Sequence, residues 1–168
     1  MKNSLLQNLL ILFFASSTPS CFGQNVIFHH PGGGVIPDWT HSDHVPTTLM
    51  DRGLFWVLDP DITSDYITTK EMNLNYFGNV TLSFDINSIG TGAPAIAKIA
   101  VSYTGSGGTF TEIHNITATP IFQNKTIQLS NVSRNVVIRF YNSNFMNDYS
   151  NPGAGLGLKN IKLTAQKK

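Results

Sequence analysis

Asn79-Val80-Thr81-Leu82-Ser83-Phe84-Asp85-Ile86 alternates apolar and polar side chains without a break, and that alternation decides the fold. Successive side chains of a strand point to opposite faces. Val80, Leu82, Phe84 and Ile86 therefore form one buried face, while Thr81, Ser83 and Asp85 look to water. A helix would scatter these four apolar residues around its axis, so the segment reads as a half-buried strand.

Working outward, the same signature recurs. Val136 to Tyr141 is a β-branched and aromatic run suited to the middle of a sheet. Ile99, Val101 and Tyr103 alternate with Ala100 and Ser102, and Gly105-Ser106-Gly107-Gly108 then turns the chain into Phe110 to Ile113. Leu54 to Leu58 is a short apolar run closed by Asp59-Pro60-Asp61, a turn signal. Tyr66 to Thr69, Thr126 to Leu129 and Val26-Ile27-Phe28 read as further short strands. Leu156 and Leu158 change parity to Ile161 and Leu163, which predicts a β-bulge near Lys159-Asn160. No segment after the leader combines a helical apolar period with caps. Strands recurring between turn signals predict an all-β jelly-roll sandwich of about 8–10 antiparallel strands.

The chain's 168 residues include 11 Lys+Arg and 10 Asp+Glu; 41% are hydrophobic and only 12% charged. That length builds one ordinary core, and a formal net charge of +1 gives no basic surplus for holding nucleic acid. Residues 1–23 read as a secretory signal peptide, with Lys2 at its start, Leu5 to Phe14 as the apolar stretch and Ser16 to Ser20 before the cleavage site. Its apolar run is too short to span a bilayer, and no later one is longer, so the expected product is secreted or held at the cell surface. Residues 24–53 form a loop-rich segment expected to pack on the sandwich, and residues 54–168 form the sandwich itself. Cys21, the only cysteine, either leaves with the leader or becomes a lipid-anchored first residue. In both cases no disulfide forms within the domain, which favours a bacterial source.

Within residues 56–164 the chain resembles the choice-of-anchor and MAM-like jelly-roll modules, related in shape to galactose-binding-like domains. The resemblance rests on Leu82-Ser83-Phe84-Asp85, on Val101 to Ile113 with its Gly-rich turn, and on Gly155 to Leu163. It implies a noncatalytic module of secreted bacterial proteins, used for adhesion or carbohydrate contact. Lys159 stands where those modules usually carry Asp, which weakens an inherited calcium site, and Phe110 stands near their aromatic hairpin position.

Four histidines, His29, His30, His41 and His44, fall close together in the N-terminal segment beside Asp38 and Asp43; converging imidazoles and carboxylates would suit zinc. An extended polar N-terminal loop with hydrogen-bonded or solvated histidines is the simpler explanation. Asp59, Asp61 and Asp65 surround the first turn, and oxygen ligands at that spacing suit Ca2+, although Asp also favours turns on its own account. The Gly32-Gly33-Gly34 and Gly105 to Gly108 segments precede no helix and lack the Lys-Ser/Thr of a phosphate loop, so they read as turns. No Gly-x-Ser-x-Gly motif occurs, and a Glu112–Asp85 pair across strands is the one conceivable acid pair for hydrolysis. Among the aromatics, Trp56 and Phe140 lie in apolar runs and belong to the core. Trp39 and Tyr149 lie among turn formers and are expected on exposed loops, where a flat ring could stack on a sugar; Tyr141 is the third candidate.

These observations point to a secreted, noncatalytic binding module for a glycan or cell-surface component, with neither a nucleic-acid partner nor a membrane span. Two other readings stand beside it: a structural subunit of a surface or matrix assembly, and a small metal-dependent enzyme built on the histidines.

Overall fold

A computed structural model describes residues 23–32, 38–41, 55–58, 65–132, 134–143 and 154–168. The candidates His44, Asp59, Asp61 and Tyr149 lie outside the described residues, as do Asp43, Cys21 and the leader. Ten strands follow in chain order. They are β1 (Asn25–His30), β2 (Thr40–His41), β3 (Trp56–Leu58), β4 (Tyr66–Thr68), β5 (Phe77–Ile89), β6 (Ile96–Ser102), β7 (Thr111–Thr117), β8 (Gln123–Leu129), β9 (Val137–Asn142) and β10 (Gly155–Lys167).

They form two antiparallel sheets, and the fold is a β-sandwich. One sheet runs β1-β10-β5-β8, with β3 sharing an edge of β10 with β1; the other runs β2-β4-β9-β6-β7. Every connection crosses between the sheets except the β6–β7 hairpin, the crossing pattern of a jelly roll. The alternation that opened the reading holds along β5: Val80, Leu82, Phe84 and Ile86 are buried, and the residues between them are partly exposed. β9 is the central strand of its sheet, as its composition demands, and Phe140 reaches across to Phe84 in an edge-on ring contact at 5.2 Å. Leu156, Leu158, Ile161 and Leu163 of β10 complete the core.

The bulge falls where the parity change puts it. Lys159 pairs with Asp85 and Lys162 with Ser83, so one residue of β10 is extra, and Asn160 takes a φ of 52° there. Asn tolerates that left-handed backbone better than most side chains. Its amide donates to Asp85 Oδ2 at 2.6 Å, which anchors the bulge to the neighbouring strand. The hairpin after β6 relies on Gly105 at φ 95°, where an added Cβ would collide with Glu71 Oε2.

Across the sandwich, the buried Asn142 amide of β9 donates to the carbonyls of Leu58 (3.1 Å) and Ala154 (3.0 Å), tying one sheet to the other. The N-terminal segment does more than pack on the outside. Its strand β1 extends one sheet along β10, and β2 extends the other along β4. At the opposite side of the sandwich β7 and β8 are the outer strands of their sheets; β7 exposes Thr111, Glu112, His114 and Asn115, a polar edge that discourages further pairing.

Candidate functional site

The outer face of the β4-β9-β6-β7 sheet collects aromatic and charged side chains on a rigid frame. Strand parity places them. Ile67, Phe140 and Ile99 point into the core, so Tyr66 and Thr68 of β4, Arg139 and Tyr141 of β9, and Lys98 and Ala100 of β6 point out. Register then fixes the neighbours: Tyr66 lies opposite Tyr141, which lies opposite Lys98, and that row reaches Asn115 on β7. Four strands at sheet spacing give the row a width of about 14 Å, the scale of a short oligosaccharide. One step along, Thr68, Arg139, Ala100 and Glu112 form a parallel row.

Two contact sets stiffen this surface. Arg139 lies between two rings, 3.9 Å from the Phe110 centroid and 4.5 Å from that of Tyr66, and its Nε donates to Thr68 Oγ1 at 3.0 Å. The two ring contacts and the hydrogen bond together hold the guanidinium in place. Beside it, Lys98 Nζ meets Glu112 Oε2 at 2.9 Å, and the Tyr141 hydroxyl donates to the same oxygen at 3.2 Å. The hydrogen bond from Lys98 holds the Glu112 carboxyl below the usual carboxylate range and raises Lys98 in turn. Burial, followed by the negative charge of Glu112, raises the Tyr141 phenol, so it stays a donor at neutral pH. Tyr66, Tyr141 and Phe110 are each half-buried.

Of the residues singled out in the sequence, Tyr141 stands in the middle of this surface. Trp39 does not: it is half-buried, not loop-exposed, with Phe28 edge-on at 5.4 Å and Trp56 stacked at 6.3 Å. It helps close the side of the sandwich where β1 and β2 enter, and its turn-forming neighbours gave no hint of these long-range contacts. His29 and His30 are consecutive on β1 and point to opposite faces, so the two cannot hold one ion together. His29 is exposed opposite Lys162, whereas His30 packs 4.7 Å from the Trp56 ring and accepts the Gly32 N–H at 3.3 Å. Burial, then the charge of His29, lowers the His30 pKa and favours a neutral ring. His41 belongs to β2 in the other sheet.

Asp65 is fully buried at the start of β4, where its carbonyl accepts the Asn142 N–H at 3.2 Å. Among the described residues no three His, Cys, Asp or Glu side chains come together as metal ligands; Asp59 and Asp61, the other two of the calcium candidates, lie outside the described residues. The Asp85–Glu112 pair does not form, because these carboxylates lie on different sheets. Asp85 is occupied by Asn124 and Asn160, and Lys159 lies over the Phe122 ring at 4.0 Å. A cavity of about 250 Å³ between β7 and β8, bordered by Tyr103, Ile113, Ile127 and Leu129, opens between the sheets and is separate from the aromatic surface.

Sequence reasoning passed over Arg139, Lys98 and the partnership of Tyr66 with Tyr141. The i, i+2 spacing of Tyr66 with Thr68 and of Arg139 with Tyr141 was legible as two outward faces. That those faces adjoin depends on β4 pairing with β9, which no local pattern encodes.

No protein-family model and no curated protein sequence matches the chain. Among the described residues no helix is long and apolar enough to cross a membrane. Solved structures do match. The chain is similar to the K3 adhesin domain of Lys-gingipain from Porphyromonas gingivalis, at 16% identity and a TM-score of 0.63, covering 84% of this chain and 99% of that one. It is also similar to the CBM22-1 xylan-binding domain of Paenibacillus barcinonensis Xyn10C, at 14% identity and a TM-score of 0.57 over 86% and 96% of the two chains. A family 29 carbohydrate-binding module, CBM29-2, matches at 16% identity and a TM-score of 0.55 over 84% and 91%. At such identities the likeness establishes a shared β-sandwich fold.

Proposed function

We propose that this chain is an exported, noncatalytic carbohydrate-binding module serving adhesion or cell-surface contact, and that its ligand lies on the outer face of the β4-β9-β6-β7 sheet. The observation that carries the reading is the in-register pair Tyr66 and Tyr141, set between the Arg139–Phe110 stack and the Lys98–Glu112 pair. Half-exposed aromatic rings suit the C–H faces of pyranoses, and polar groups beside them suit sugar hydroxyls. Neighbouring folds described as xylan-binding, carbohydrate-binding and adhesin domains support the same reading, as analogy of fold. Export rests on the leader over residues 1–23.

The test is a glycan array on residues 24–168, with and without Ca2+, followed by calorimetry on the best binder. Tyr66→Ala and Tyr141→Ala should each weaken binding about tenfold or more, the scale of a hot-spot truncation. Both variants should remain folded. Full-strength binding by both would sink the proposed surface.

A further inference from the structure

We infer that the glycan taken by this face carries an oxyanion, a uronate carboxylate or a sulfate ester, and that Arg139 reads it. The inference rests on the carbohydrate reading above and names the chemical class of its ligand. Lys98 and Arg139 both stand on the surface, but only Lys98 is neutralised, by Glu112 at 2.9 Å. Among the described residues no carboxylate lies within ion-pair distance of Arg139. A guanidinium has five N–H donors. The Nε–H of Arg139 goes to Thr68 Oγ1, and its guanidinium carbon lies 4.5 Å from the Tyr66 ring centroid and 3.9 Å from that of Phe110. Among the described residues no acceptor meets the terminal N–H groups, while Thr68 and the two rings hold the guanidinium in place.

Those groups are the fork that meets a carboxylate or sulfate through two parallel hydrogen bonds. Because the stack has already fixed its rotamer, little side-chain freedom remains to be lost on binding. Neutral sugars would need no formal charge here, and a lysine at this position would hold a single point charge without the fork. Unlike Lys98, whose charge serves Glu112, Arg139 has no carboxylate partner among the described residues.

The experiment compares matched pairs: polygalacturonate against its fully methyl-esterified form, and dextran sulfate against dextran. Polyglutamate serves as a polyanion without sugar, and a panel of neutral polysaccharides completes the set. Calorimetry on residues 24–168 should show at least about a tenfold preference for the charged member of one pair, the scale of a charge-assisted bidentate contact. Which pair responds identifies the oxyanion. Arg139→Gln should abolish the preference and Arg139→Lys should retain part of it. Equal binding within both pairs, or a preference that survives Arg139→Gln, overturns the inference and leaves the carbohydrate reading standing. Equally tight polyglutamate binding also overturns it, by reducing the effect to bulk charge. Failure to bind any polysaccharide overturns both readings. If Arg139→Gln does not fold, as judged by circular dichroism, Arg139→Lys and the parent's preference within each pair decide the matter.

Discussion

The two outer faces of this sandwich are built on the same pleat and back the same core, yet they differ in what their side chains have left to offer. On the β5-β8 side the outward residues include short amides and hydroxyls, several of which satisfy one another. Thr81 Oγ1 donates to Gln128 at 3.1 Å, Asn124 donates to Asp85 at 2.8 Å, and Asn160 caps the same carboxylate. Neither β5 nor β8 turns an aromatic ring outward from this field. On the β4-β9 side the rings are large and half-exposed, and among the described residues the terminal N–H groups of Arg139 meet no acceptor. A face whose polar groups are paired among themselves is a solvated wall; a face with fixed, unpaired donors beside flat rings can hold something. The fold provides both, and the difference lies wholly in side-chain chemistry.

Both faces depend on one feature behind them, the Phe84–Phe140 contact, so removing it should erase the contrast with the largest effect. Phe84→Ala should cost about 3–5 kcal/mol of stability, read by urea denaturation, because it leaves a cavity where the two sheets meet. A loss below about 1 kcal/mol would show that the core closes around the gap. Next in size is the wall itself. Asn124→Ala removes a hydrogen bond to Asp85 and should cost about 0.5–1.5 kcal/mol, with glycan affinity unchanged. Weakened binding in this variant would place ligand on the wrong side of the sandwich and break the comparison.

The smallest effect on stability should come from Glu112→Gln. The folded Glu112 carboxyl lies below its free value of 4.5, so its pair with Lys98 contributes at pH above that value and is lost as pH falls through the folded pKa. Lys98 is raised above 10.5, so its share is present below that value and is lost as pH rises through the folded pKa. Both groups are solvent-accessible, and an exposed pair contributes little. Thermal melts of parent and variant should nearly coincide at pH 7 and draw closer still below about pH 4. A clear loss at neutral pH would recast the pair as structural, not as part of a binding surface.

The strands whose parity is strict were legible in the sequence: β5 and β9 fall where Val80 to Ile86 and Val136 to Tyr141 put them, and the bulge stands at Asn160. The edge strand was less so. Phe110 to Ile113 was expected to be extended, but β7 starts at Thr111 and runs to Thr117, and Phe110 lies instead over Arg139. Edge residues face water on most sides, so their polarity alternates weakly and marks no boundary. For the candidate surface, Tyr141 was legible as an aromatic with a free face. Arg139 was not, because its meaning comes from Tyr66 and Phe110, residues distant in sequence that the topology brings to either side of it.

The seam where β1 and β2 join the sheets has a spectroscopic consequence. The chain contains two tryptophans, and Trp39 and Trp56 stack on each other there, beside His30. All indole emission therefore originates from one place, and neither indole belongs to the row of Tyr66 and Tyr141. Intrinsic tryptophan fluorescence should report the undocking of the N-terminal strands and remain nearly silent as the aromatic surface fills. Tyrosine absorbance, by contrast, carries the signal of occupancy. The molecule thus comes with two separate optical channels, one for integrity and one for binding.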